Sequence, residues 1–469
     1  MTNVLVVGAG PAGASAALRA AELGARTVLV TSGAFGGMAA NDGPIPVRTL
    51  AHAARLMRDA RQLEQYGIVV GEPTLDYSRL LATVRRVVGE VSAHSYRRRD
   101  FDAMGVSVHE NAGMARFVDA HTIETHSGLR LDADAIILCT GGVSRRLSVP
   151  GFELTNTHSD AWGLTSVPAS MLVIGGGDTG LQVASIFNAF GSRVQLLQAG
   201  PRILPAVDED IAAEVAGGFR ESGIEIREDF GVIDSFEKTA AGVRVNFSKD
   251  GVRGHAEASL AVIAVGWTAN TSGLDPGVAG VQLDERGFVT VDEYMRTSAH
   301  GVYAAGDVTG RLMLVPQALQ EGFVAATNAV QGPTLQFADP VSPVGSFTDP
   351  EYAQVGLTEA RAREHHDVLT TVVRFDAVAR TIIDGRTDGI CKLVTDRTTH
   401  RMLGCHIVGE RAVDIVQLAA IAITTGMSVE DFLRIPISFP IYAGILTRAT
   451  AAAARELKAA SGSGRALAL

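Results

Sequence analysis

The sequence predicts an α/β protein: two Rossmann-like dinucleotide-binding units followed by a C-terminal α+β unit. Three observations predict it. A G-x-G-x-x-G turn, Gly8-Ala9-Gly10-Pro11-Ala12-Gly13, follows an apolar run near the start. The arrangement returns at Gly175-Gly176-Gly177-Asp178-Thr179-Gly180, and after Gly332-Pro333 the pattern changes to strand-like stretches alternating with helices.

Taken in order, Val4-Leu5-Val6-Val7 is a continuous apolar run, as expected for a parallel strand buried on both faces. The glycine turn comes next, then an Ala-rich helix from about Ala14 to Leu23, a stop at Gly24, and a second strand, Thr27-Val28-Leu29-Val30. In such a unit the first glycine permits the tight turn, the second lets a pyrophosphate approach the backbone, and the third allows close helix–strand packing. The flanking strand and helix make this fingerprint specific. The run from Ala135 through Cys139 to Gly142 reads as another buried strand. The second fingerprint lies between the strand Met171 to Ile174 and a helix to about Phe190, followed by the strand Val194 to Leu197. Two fingerprints imply two nucleotides; the alternative is a second unit kept only as structure. The run Leu260 to Gly266 repeats the strand-and-glycine pattern, and Val302-Tyr303-Ala304-Ala305-Gly306-Asp307 places an acid at a strand's C-terminal end, where open α/β sheets bind ligands. Beyond 340, strands are expected at Thr371 to Phe375, Ile390 to Thr395 and Met402 to Val408. Helices are expected around Thr358 to His365 and Ala412 to Thr425, with a mobile tail at 461–464.

Composition narrows the function classes. Of 469 residues, 46% are hydrophobic and 20% charged, which fits folded domains and not disorder. The net charge of −10 argues against gripping nucleic acid or an anionic membrane by bulk charge. Cys139, Cys391 and Cys405 have no C-x-x-C or metal-ligand spacing, so a structural zinc or disulfide framework is not expected; a reducing cytosol fits. His365 and His366 are adjacent and do not share a helix face, and His406 reads as a structural histidine, so no metal site is expected. The apolar start lacks a basic n-region and is broken by Gly8, Gly10, Pro11 and Gly13, unlike a signal peptide, and no run of ~18 apolar residues offers a membrane span.

The order of first fingerprint, Cys139-Thr140-Gly141-Gly142, second fingerprint and Ala304-Ala305-Gly306-Asp307 resembles the flavin- and pyridine-nucleotide-dependent disulfide reductases, the family of dihydrolipoyl dehydrogenase, glutathione reductase and mercuric reductase. Gly36-Gly37, Glu321-Gly322, Thr348-Asp349-Pro350-Glu351 and Gly404-Cys405-His406-Ile407-Val408-Gly409 extend the resemblance over nearly the whole chain. It implies FAD bound by 1–150 and 271–335, NAD(P)H bound by 151–270, and a homodimer formed through 340–469 that completes the partner's site. By position, Gly8, Gly10, Gly13, Thr31, Gly37, Ala115, Asp307 and Val315 would serve FAD. Gly175, Gly177, Gly180, Gln198 and Gly266 would serve the nicotinamide nucleotide.

The departures bear on chemistry. Where the family carries G-G-x-C-x-x-x-x-C, this chain has Ala39 and Pro44, neither able to form the thiolate that thiol–disulfide exchange needs. Phe439 and Gly444 stand where the family has an acid–base His and its Glu. Arg48 replaces a Lys near the flavin and Gln182 its Glu partner; Arg48 keeps a permanent charge, although an ordinary packing role is the alternative. Thr31 stands where an acid usually binds the adenosine ribose, so that bond loses charge assistance. Gln198 carries neither the acid of an NAD site nor flanking arginines, Arg202 being the nearest; NADH is favoured over NADPH. Asp178 replaces an aromatic near the nicotinamide, and Trp267 an Arg.

The expected function is an FAD- and NAD(P)H-dependent oxidoreductase passing electrons directly to a small quinone- or enone-like acceptor. The pocket would be formed by Met38, Ala39, Pro44 and Arg48, with Phe439 and Tyr442 supplied across the dimer and Tyr442 the substitute proton donor or a packing aromatic. Two alternatives remain: a flavin-dependent oxidase or dehydrogenase of an organic metabolite, and a flavoprotein without turnover that senses redox state or binds a partner.

Overall fold

The computed structural model describes residues 1–95, 98–338 and 341–460; the tail 461–464 expected to be mobile lies outside the described residues. Two five-stranded parallel sheets form the first two units. In the first, the strand order runs Val302–Ala304, Ala135–Leu138, Asn3–Val7, Arg26–Val30, Ser107–His109. Val4 aligns with Thr27 on one side and Ala135 on the other, so the strand that feeds the first glycine turn is central, and it is apolar from Val4 to Val7. In the second, the order is Glu225–Glu228, Arg193–Gln198, Ser170–Ile174, Leu260–Ile263, Asn156–Thr157, again with the strand before the glycine turn at the centre. The third unit is a five-stranded antiparallel sheet ordered Val344–Ser346, Tyr352–Gly356, Met402–Gly409, Gly389–Asp396, Val368–Arg374, covered by the helices Ala412–Thr424 and Gly444–Ala460.

Several boundaries differ from the sequence reading. The first helix spans Pro11–Glu22, beginning inside the fingerprint because Pro11 at its N-terminus has the helical φ fixed and lacks an N–H that would need a partner. The strand expected from Thr371 starts at Val368, where pairing with Asp396 extends it, and the helix expected over Thr358 to His365 shortens to Glu359–Arg363, capped by the Thr358 side chain. Cys139 lies one residue past its strand, Ala135–Leu138, rather than within it.

One apolar cluster spans all three units. Leu50 from the helix Pro44–Gln62 shares a buried cluster with Phe187 and Phe219 of the second unit and Tyr352 of the third, with Trp162 stacked on Phe187 at 6.2 Å. Burying such side chains contributes about 1.5–3 kcal/mol each. A charged contact supplements it: the Lys392 ammonium, 5% exposed, lies 3.1 Å from Asp208, 2.9 Å from Asp210 and 3.0 Å from Glu359, joining the N-terminus of the helix Glu209–Glu221 to the third unit's sheet. Among the described residues no helix is long and apolar enough to cross a membrane.

Candidate flavin and nicotinamide site

The two glycine turns have nearly the same backbone. Gly8 and Gly175 take φ of +109° and +112°, a region L side chains rarely adopt. A Cβ on Gly13 would fall 1.8 Å from the Gly8 carbonyl oxygen, and one on Gly180 1.9 Å from that of Gly175, so each third glycine brings its helix against its turn. The middle glycines differ: a Cβ on Gly10 or Gly177 would meet nothing within 4 Å. Open space before an N-terminal helix turn, with free N–H groups and the positive end of the dipole, is what a pyrophosphate requires. Gly37 closes one wall of the first cradle, a Cβ there lying 2.8 Å from the Gly10 Cα.

Asp307 sits at the end of the strand Val302–Ala304, its carboxylate without a hydrogen-bond partner among the described residues and its pKa raised by burial. An acceptor of this kind beside the first cradle fits the hydroxyl-bearing chain of a flavin dinucleotide. Thr31 is buried at the end of the strand Arg26–Val30, Ala115 opens the strand Ala115–Phe117, and Val315 opens the helix Val315–Gln331.

In the second unit Gln198 is occupied locally: its Oε1 accepts the Gly176 N–H at 2.9 Å. The Arg202 guanidinium donates to the carbonyls of Leu204, Pro205 and Val207, which fixes it within its own loop. Gly266, at φ +111°, ends the apolar run, and its carbonyl accepts the Arg145 N–H. Trp267 follows in a short antiparallel ribbon with Gly142–Ser144 and packs edge-on against His158 at 4.8 Å. Asp178 begins the helix Asp178–Ala189; its carboxylate accepts a hydrogen bond from the Tyr352 hydroxyl. The residue is exposed yet its carboxylate is enclosed by protein on most sides, and desolvation raises its pKa while the Tyr352 bond opposes the rise.

The segment 39–44 spans the end of the short helix Gly37–Asn41 and the start of the helix Pro44–Gln62, with Ala39 half-buried and Pro44 exposed. One turn beyond Pro44, the Arg48 guanidinium lies 3.4 Å from the Phe347 ring centroid, an arrangement worth about 0.5–2 kcal/mol. No carboxylate pairs with it among the described residues; it borders a cavity of about 260 Å³ shared with His52, Phe347, Glu351 and Glu410. Phe439 is 84% exposed. Tyr442 turns back onto its own unit: the hydroxyl donates to Asp384 at 2.6 Å under the Arg380 guanidinium, and burial with Asp384 and Glu410 nearby raises its pKa. The cysteines are buried and unpaired, Cys391 and Cys405 having their sulfurs 4.0 Å apart in the third sheet. His406 is buried against the Leu357 carbonyl at 3.0 Å. Among the described residues no cluster of three or more His, Cys, Asp or Glu side chains is placed to hold a metal ion.

The sequence reading did not find Asp42, Ser144, His158 and Ser159, which the fold gathers from distant positions beside 39–44. Only the Thr157–Asp160 capping box signalled that a helix began there.

Residues 2–322 match the pyridine nucleotide-disulphide oxidoreductase family, and residues 342–450 match that family's dimerisation domain. A dihydrolipoyl dehydrogenase of Thermus scotoductus is 34% identical over 445 residues, covering 92% of each chain. A mercuric reductase of Lysinibacillus sphaericus is 31% identical over 436 residues, 92% of this chain and 78% of the relative. Among solved structures, LpdA from Mycobacterium tuberculosis has a TM-score of 0.86 at 26% identity, covering 96% of this chain and 99% of its own. The HOCl-induced flavoprotein disulfide reductase RclA from Escherichia coli has a TM-score of 0.84 at 25% identity, with coverage of 96% and 99%.

Proposed function

The chain belongs to the pyridine nucleotide-disulphide oxidoreductase family. On that premise we propose that it uses FAD and NAD(P)H to reduce a small planar organic acceptor, quinone- or enone-like, without a redox disulfide. The observation that carries this reading is the pairing of an intact double cradle with Ala39 and Pro44 at the two positions where the resemblance expects reactive cysteines. When bound, the two coenzymes supply a hydride from the nicotinamide and its onward passage as two electrons.

This chain's residues then bind, orient and polarise. Gly8, Gly10, Gly13 and Asp307 hold the flavin dinucleotide, with Thr31, Gly37, Ala115 and Val315 around it; Gly175, Gly177 and Gly180 hold the nicotinamide nucleotide, with Gln198 and Gly266 at its edges. Arg48 makes no ion pair with a carboxylate among the described residues, although Asp414 and Glu351 act on its charge, and so can stabilise negative charge developing on a carbonyl oxygen. Met38, Ala39 and Pro44 give the pocket an apolar floor suited to a flat ring. Phe439 of a second copy closes it. Its exposure, with that of Ile382 at 61% and Ile383 at 56%, supports a homodimer. Tyr442 can contribute a wall there, but a raised pKa disfavours it as a proton donor near neutrality. The tethering of Arg202 to its own loop turns that guanidinium away from a 2′-phosphate, which supports NADH.

The test is an anaerobic absorbance titration of the purified holoprotein with NADH and with NADPH, followed by 1,4-naphthoquinone. Bleaching by NADH and stoichiometric recovery on adding the quinone are expected. A flavin that neither nucleotide bleaches, or that recovers only with a disulfide, would overturn the reading.

A further inference from the structure

Reducing a conjugated carbonyl or quinone with a hydride donor consumes one proton from solvent for each hydride delivered. The two groups expected nearest the acceptor supply it poorly: Arg48 does not deprotonate, and the Tyr442 hydroxyl is committed to Asp384. A connected set of exchangeable protons lies instead at the 39–44 segment. The Asp42 carboxylate accepts a hydrogen bond from the Ser159 hydroxyl through Oδ2. Ser159 Oγ lies 3.3 Å from His158 Nε2, and His158 Nδ1 lies 3.1 Å from Ser144 Oγ. Because Ser159 gives its proton to Asp42, its oxygen is left to accept from the imidazole, which fixes the proton on Nε2 and leaves Nδ1 to accept from Ser144.

We propose that Asp42 delivers the proton to the bound acceptor, with Ser159 and His158 as positioning residues that reload it from the Ser144 side. This rests on the acceptor-reducing function proposed above. Two features favour the direction. Asp42 lies between Ala39 and Pro44, and its Oδ1 has no partner among the described residues. His158 is 5% exposed and held edge-on by Trp267, so its ring stays in line with both hydroxyls.

The steps balance. The Ser159 hydroxyl proton moves to Asp42, which passes it to the acceptor oxygen; the Nε2 proton moves to Ser159; Nδ1 takes a proton through Ser144 from solvent. The imidazole ends in its other neutral tautomer, and ring reprotonation restores the first. No electron enters this chain, and one solvent proton accompanies each hydride. The charged groups facing His158 are Asp42 and Asp160, and they oppose the lowering that burial imposes on its pKa.

Asp42→Asn, which keeps the side chain's size, and Ser159→Ala, which interrupts the line, test this by stopped-flow on the holoprotein. Bleaching by NADH should stay within about 2-fold, while recovery with 1,4-naphthoquinone should slow by ~10²-fold for Asp42→Asn, in the range of lost general acids. Histidine NMR gives a readout independent of turnover: the Nε2–H tautomer in the parent protein, and a His158 pKa lower still in Asp42→Asn. Unchanged recovery in both variants, or an Nδ1–H tautomer, would overturn the proposal with the acceptor reading intact. A parent protein that recovers with neither quinones nor enones would overturn both.

Discussion

The Tyr352 hydroxyl donates to the Asp178 carboxylate, joining the third unit's sheet to the first residue of the helix behind the second glycine turn. The partners are 174 residues apart, and a neighbouring bond from the Asp349 N–H to Ser185 Oγ at 3.0 Å ties the same strand approach to the same helix. Tyr352→Phe should therefore cost about 1 kcal/mol, the low end for an orphaned acceptor because Asp178 is exposed to solvent. It should also raise the Asp178 pKa further. In the interval between the ordinary carboxylate range and the raised value, the unfolded chain binds fewer protons than the folded one, so stability falls as pH rises. Urea midpoints at pH 4 and pH 7 should show a steeper fall in the variant; an equal or shallower fall would remove the proposed coupling.

Glu351 supplies a second case with the same sign. Burial, with Glu410 close by, lifts its carboxyl to about 7 despite Arg55. Its effect on stability is absent below the ordinary carboxylate range and grows unfavourable as pH rises from there to about 7. Glu351→Gln should flatten the urea profile over that window, gaining at most about 3 kcal/mol at pH 8, less where the Arg55 pairing is lost. A profile unchanged in slope would place the titration elsewhere.

The glycine turns predict a separation of folding from binding. Gly10→Ala introduces a methyl group that touches no atom of the chain, so apoprotein Tm should move by less than a few degrees while flavin content falls at least 10-fold. Gly180→Ala forces its methyl onto the Gly175 carbonyl; flavin should be retained and bleaching by NADH lost. Thermal scans with cofactor extraction check both.

Lys392→Met leaves Asp208, Asp210 and Glu359 facing each other across the two units. Breaking such a cluster costs about 3–5 kcal/mol when carboxylates are left uncompensated. The deficit should shrink as pH falls and Glu359 takes up a proton, its carboxyl being held below the ordinary range against burial by the Arg363 and Lys392 bonds. A deficit independent of pH would point to lost packing alone.

Arg48→Met addresses the acceptor pocket. Removing a positioned cation should slow naphthoquinone-driven recovery by ~10²-fold, with bleaching by NADH little changed. A change below about 2-fold would assign Arg48 to packing on Phe347.

What could be read from the chain alone was what local geometry dictates. A glycine at φ near +110° between an apolar strand and a helix leaves few alternatives, so both fingerprints and the strands at Asn3–Val7 and Ser170–Ile174 were visible as patterns. The substitutions at 39, 44 and 439 were visible for the same reason, because the flanking motifs set the register. The links that build the site were not: Asp178 to Tyr352, Asp42 to Ser159 and Lys392 to Asp210 join positions separated by 174, 117 and 182 residues, and no spacing rule reaches that far. Strand ends at Val368 and Gly409 were set by pairing partners rather than by the segment's own residues.

The helix Pro44–Gln62 is anchored by Leu50 in a core shared by all three units, while Ala39 just ahead of it and Pro44 at its first position are left half-buried and exposed. The frame of the reactive loop thus depends on packing behind it and not on the atoms at its tip. Such an arrangement makes the tip evolvable: side chains at 39 and 44 can be exchanged, and one electron-transfer chemistry traded for another, without renegotiating the fold that aims them.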